Sequence, residues 1–139
     1  MVWHVSLRKP RRRQARKLLD SGIYIKQLRE DLCSLQERVD KTLADKVADP
    51  IDIDGIYALL HNTKNTAEDV GYGLVTQICS LACGILQRSQ QADVACLRAV
   101  KAHIDALTII AEHDLEGDGG SLGHEMVCQL EGLAKVVSA

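Results

Sequence analysis

The sequence predicts an all-α domain, an antiparallel up-and-down four-helix bundle with an extra short C-terminal helix. Three observations carry this expectation. Aromatic residues make up 3% of the 139-residue chain and Phe is absent, so the core must be Leu, Ile, Val and Ala, and strands lack the aromatic residues they favour. Two prolines, Pro10 and Pro50, leave long stretches free of helix breakers. Apolar residues recur at spacings of three and four, the helical period. With 46% hydrophobic and 26% charged residues the chain is not wholly disordered. A chain of this size buries roughly two thirds of its unfolded surface, so its core needs neither disulfides nor metal.

The first helix is expected over residues 14–47. Its seam is Ile25, Leu28, Leu32, Leu35, Val39, Leu43 and Val47, one apolar stripe on a heavily charged helix. Asp49-Pro50 ends it. The second helix is expected over 53–68, with Asp52 or Asp54 as N-cap and Ile56, Leu59, Leu60, Thr63 and Ala67 inward. Gly71 and Gly73 mark a tight junction. The third helix, 72–89, uses Leu74, Ile78, Leu81 and Ile85 and is apolar almost all round, which predicts the most buried element. Its apolar run from Leu74 to Leu86 is 13 residues long, too short to span a bilayer. Gln90 and Gln91 form a short connection, and Asp93 caps a fourth helix over 94–115 with Leu97, Val100, Ile104, Leu107 and Ala111 inward. The loop Glu116-Gly117-Asp118-Gly119-Gly120 breaks the helix, and Ser121 caps a last one over 122–137 carrying Val127, Leu130, Leu133 and Val137. Short connections imply antiparallel neighbours. Tyr57 and Tyr72 are expected to flank the region around His61.

The net charge of −2 conceals two opposed pieces. Residues 1–17 hold seven basic side chains and no acid. Residues 18–139 hold ten basic against nineteen acidic side chains, a net of −9. The division is therefore a solvated basic arm, 1–17, before a helical domain, 18–139. Nucleic acid is not an expected partner, because neither aromatic interleaving nor a second basic patch supports the arm. Cys33, Cys79, Cys83, Cys96 and Cys128 are odd in number and sit in apolar helical patterns, as buried reduced thiols of a cytoplasmic protein do. No membrane association is expected.

His61 is the most informative polar residue. It lies one helical step, about 100°, from the buried stripe and shares a face with Tyr57, Lys64 and Glu68. An exposed imidazole at mid-helix offers a nucleophilic nitrogen, and Lys64, one turn on, offers a cation for a phosphoryl group. Other signals are weaker. Gly119-Gly120-Ser121-Leu122-Gly123 spells G-x-S-x-G, but a nucleophile elbow needs a strand before it. Cys79 with Cys83, and His124 with Cys128, are each four apart and supply two ligands at most, so no metal is expected. His103 is read as a packing or surface residue. His113 is a favourable cation at a helix C-terminus.

Residues 61–79 resemble the signature of histidine-containing phosphotransfer (HPt) domains of bacterial two-component phosphorelays. That family carries His, Lys three residues later, usually Gly next, and a further Gly ten residues after the His. Here these positions are His61, Lys64, Asn65 and Gly71, with Cys79 where the family often has Cys. The run Gly71 to Ile78, the run Ala102 to Leu107, and the loop at 117–120 resemble one subgroup. The resemblance covers residues 18–137 in helix order. It implies a phosphocarrier rather than an enzyme, with His61 as phosphoacceptor and Lys64 stabilising the phosphoryl group. Tyr57, Asn65 and Glu68 would form the docking face. The implied partners are receiver domains or a hybrid histidine kinase, with no cofactor on this chain and magnesium on the receiver. Asn65 departs from the family's Gly and supports an alternative, an HPt-like module that binds a signalling partner without being phosphorylated.

Overall fold

Among the described residues the three-and-four spacing of apolar residues closes into five α-helices and no strand. The computed structural model describes residues 22–44, 50–88 and 93–138. The basic arm, the expected helix start at residue 14, Val47 and the Gln90-Gln91 connection lie outside the described residues. The helices are α1 (Ile23–Ala44), α2 (Pro50–Val70), α3 (Gly73–Arg88), α4 (Val94–His113) and α5 (Gly120–Ser138).

Several boundaries differ from expectation for local reasons. α2 begins at Pro50, whose ring presets a helical φ and whose missing N–H has no partner to lose at a first position. Asp52 therefore falls in the first turn and Asp54 inside the helix, so neither is the cap. α5 begins at Gly120, and the Asp118 carboxylate accepts the Gly120 N–H at 3.0 Å. Asp118 thus takes the role expected of Ser121. α5 is also not short: its 19 residues exceed the 16 of α3. Asp93 caps α4 as expected, accepting the Cys96 N–H at 2.8 Å, a bond that holds its carboxyl below the usual range.

α3 is the central element. Leu74, Val75, Ile78, Cys79, Ala82, Cys83, Ile85 and Leu86 are all buried, on more than one side of the helix. It packs against α2, α4 and α5, while α1 covers α2 and α4. The α1 seam is Tyr24, Leu28, Leu32, Leu35, Val39 and Thr42. Polar links pair α1 with α4 in reversed order. Arg29 donates to the Ala111 carbonyl at 3.3 Å, Gln36 to Asp105 at 2.6 Å, and Lys101 reaches Asp40 at 2.7 Å. Thr42 and Thr63 hide their hydroxyls on their own helices, donating to the Arg38 and Leu59 carbonyls at 2.8 Å.

The two inter-helix turns bind each other. The Gly117 N–H donates to the Gly71 carbonyl at 3.0 Å, and the Leu74 N–H donates to the Gly117 carbonyl at 2.6 Å. Gly71 and Gly117 have φ of 88° and 63°, where a side chain is strained. Between the glycines, Tyr72 is fully buried, packed on Tyr24 with ring centroids 4.8 Å apart and donating its hydroxyl to Asp114. Burial and that carboxylate raise its pKa. Tyr72 is thus a core residue, a correction to the expectation that it flanks His61.

Cys79, Cys83 and Cys96 are buried as expected, whereas Cys33 and Cys128 are exposed. Cys33 follows the seam residue Leu32 by one position, a step of about 100° that carries it out of the core. None of the five thiols is in a disulfide. Among the described residues no helix is long and apolar enough to cross a membrane.

Two stability predictions follow from this packing. A Cβ at Gly123 would overlap the Asp118 carbonyl oxygen, whereas one at Gly132 on the same helix would meet nothing. Gly123→Ala should cost about 1–3 kcal/mol and lower the melting temperature, and Gly132→Ala should hold or raise it. Equal melting temperatures for the two variants would contradict this packing. The second concerns His103, fully buried, whose Nδ1–H donates to the Ala99 carbonyl at 2.7 Å while Nε2 has no hydrogen-bond partner among the described residues. Burial holds this imidazole below the ordinary value of 6.5. Below that pH the unfolded chain takes up a proton that the folded protein refuses. The stability contribution is therefore complete above 6.5 and is lost as the pH falls below it. Urea midpoints at about pH 7.5 and about pH 5.5 should differ less in His103→Leu than in the parent. An unchanged difference would contradict the assignment.

Candidate functional site

The polar face of α2 is fixed by its buried one. Ile56, Leu60, Thr63 and Ala67 are buried, and the site residues Tyr57, His61, Lys64 and Glu68 each follow one of them by a single position. A step of about 100° puts them at the edge of the core stripe rather than opposite it. Tyr57 and Lys64 are accordingly half-buried, while His61, Asn65 and Glu68 are exposed. His61 is therefore held on the middle of a 21-residue helix with its ring open to solvent.

The ring is not left to itself. Tyr57, one turn before it, lies parallel to His61, with centroids 5.9 Å apart and planes 9° from parallel. The Tyr57 hydroxyl accepts a hydrogen bond from Gln87 Nε2 of α3 at 2.9 Å. Lys64 lies one turn after His61, and its charge is felt by the buried thiols of Cys79 and Cys83 on α3. Burial pushes both thiols up, against the smaller effect of Lys64. These thiols are inert packing groups beneath the face. The arrangement presents a nitrogen nucleophile with a cation one turn away and a carboxylate, Glu68, at its far edge. Comparison with family models, curated proteins and solved structures gives no match.

The structure brings together all five residues singled out on α2, as one helical strip. Gln87 escaped the sequence reading. The signal for it was available in principle, because α2 and α3 fold back on each other about residues 71–72, which sets residue 57 level with residue 87.

The remaining candidates stay apart from this strip. His103 is buried in α4 and His113 exposed at its C-terminus. His124 Nε2 lies 3.6 Å from Cys128 Sγ on the exposed side of α5. Among the described residues no three His, Cys, Asp or Glu side chains gather to hold a metal. Ser121 sits in a helix preceded by a loop and by α4, not by a strand, so G-x-S-x-G forms no elbow. An open, mostly apolar groove of about 460 Å³ runs between α1 and α4 past Arg29, Leu32, Cys33, Gln36 and Thr108. It contains neither His61 nor Lys64.

Proposed function

We propose that this chain is a histidine phosphotransfer protein that relays a phosphoryl group between aspartyl-phosphate receiver domains in two-component signalling. The observation that carries the reading is an exposed His61 at mid-helix with Lys64 one turn on, at the spacing the HPt signature has. The helix order supports it. The reversed pairing of 29, 36 and 40 with 111, 105 and 101 fits an antiparallel up-and-down bundle of α1–α4, to which α5 is added. The setting is cytoplasmic, with receiver domains or a hybrid histidine kinase as partners.

The chemistry needs little from this chain. The lone pair of an unprotonated His61 nitrogen attacks the phosphorus of an aspartyl phosphate. The N–P bond forms as the P–O bond breaks, and the electron pair leaves on the receiver's carboxylate. The receiver contributes magnesium and most of the charge stabilisation. Lys64 offsets charge on the arriving phosphoryl oxygens. Tyr57, Asn65 and Glu68 border the histidine on the face a receiver would cover. The phosphohistidine then gives its phosphoryl group to a second receiver by the reverse step. The chain acts as a carrier, not as a kinase.

Asn65 favours a second reading. It is exposed one turn beyond His61, where glycine would leave room for a receiver's loops. An HPt-like module that binds a signalling partner without accepting phosphate would carry such a residue.

Incubation with phosphorylated receiver domains should label the protein with acid-labile, alkali-stable phosphate, and His61→Gln should abolish the label. Label persisting in His61→Gln would contradict the assignment of His61. Asn65→Gly should accept phosphate severalfold faster, at a folding cost of roughly 0.5 kcal/mol. A wild type that is never labelled beside an Asn65→Gly variant that is would instead favour the binding module.

A further inference from the structure

A solvent-exposed histidine at mid-helix has two soft side-chain dihedrals and samples several staggered wells, most of which turn its nitrogens away from any one direction of approach. His61 is exposed but not free in this sense. Its ring lies parallel to Tyr57, with the planes 9° apart and the centroids 5.9 Å apart. Tyr57 is itself half-buried, and its hydroxyl is tied to Gln87, thirty residues away on α3. The chain thus extends from a different helix, through a hydrogen bond, to an aromatic face, to the reactive ring. Tyr57 packs against the edge of the core, but its tie to Gln87 lies outside it. Ile56 and Leu60 already bury that stretch of α2, and Gln87 is exposed at the last turn of α3.

We propose that Tyr57 and Gln87 are positioning residues that fix the ring plane of His61 for phosphoryl transfer. This rests on the phosphotransfer reading of His61 and deepens it. Tyr57, which borders the docking face in that reading, acts in addition on the imidazole. Gln87 holds the phenol, the phenol face restricts the imidazole, and the entropy of orienting the nucleophile is removed before the receiver arrives. The same face also favours a cationic ring, the form a phosphohistidine takes when its other nitrogen holds a proton.

The test compares two phosphoryl donors, a phosphorylated receiver domain and phosphoramidate, a small donor with no docking surface. In Tyr57→Leu, which keeps an apolar side chain at a half-buried position, the maximal rate should fall about tenfold with both donors. Tyr57→Phe keeps the ring and loses the tie to α3, as does Gln87→Ala from the other end. Each should slow transfer by about threefold, and the double variant should be no slower than either alone. Three outcomes overturn the proposal. One is Tyr57→Leu matching the wild type with phosphoramidate and differing with the receiver only in half-saturation, which makes Tyr57 a docking residue only. Another is multiplication of the Phe and Ala effects, which breaks the link between the two residues. A wild type labelled by neither donor overturns the phosphotransfer reading itself, and this proposal with it. Melting curves coincident with the wild type separate these results from loss of fold.

Discussion

The fold depends on the contact between its two inter-helix turns. Gly117 gives its N–H to Gly71 and takes the N–H of Leu74, so one backbone unit ties the α2–α3 turn to the α4–α5 loop. Leu74 N–H is one of the donors that the start of a helix leaves without an internal partner, and α3 is the most enclosed helix. Without Gly117 this donor would be buried and unpaired. Glycine is required on both sides, because φ is positive at Gly71 and Gly117. Tyr72 fills the space between the turns and reaches α1 through Tyr24 and the end of α4 through Asp114. All five described helices therefore meet at this point, and the apolar seams close along their length from there.

That anchoring leaves the proposed phosphoacceptor face on a packed helix, open to solvent. His61 lies ten residues before Gly71, roughly 15 Å along α2 at the usual helical rise. It is thus well clear of the locked end, at the edge of a helix stripe, Ile56, Leu60, Thr63 and Ala67, that is buried. The face needs no cavity of its own. Under the proposed function, a nucleophile that must enter another protein's active site is served by an exposed position on a packed helix. The open groove between α1 and α4, by contrast, contains neither His61 nor Lys64. The stack of Tyr57 on His61, tied to α3 through Gln87, adds order at the side-chain level to a position the backbone has already made rigid.

Much of this was legible in the residues. The seam of α4, Leu97, Val100, Ile104, Leu107 and Ala111, is buried throughout, because a strict three-and-four spacing leaves no other face for the core. The strip Tyr57, His61, Lys64 and Glu68 followed from the same geometry. What escaped depended on tertiary partners that spacing does not encode. Tyr24 and Tyr72 are half polar, and their burial depends on each other. Cys33 and Cys128 look apolar by composition, yet a one-residue offset from the seam exposes them. Asp118 displaced Ser121 as the cap of α5 because Gly119 and Gly120 both adopt positive φ and bring its carboxylate to the Gly120 N–H. Gln87 required the register of two helices, which sequence pattern alone leaves open.

The central claim is that the His61 face of α2 is where this protein meets its signalling partner. Backbone amide shifts recorded while a receiver domain is titrated into the labelled protein test it most directly. The largest changes should cluster on α2 between Tyr57 and Glu68 and at the end of α3 around Gln87, with α5 silent. Changes confined to the α1–α4 groove or to α5, with the His61 face unmoved, would contradict it.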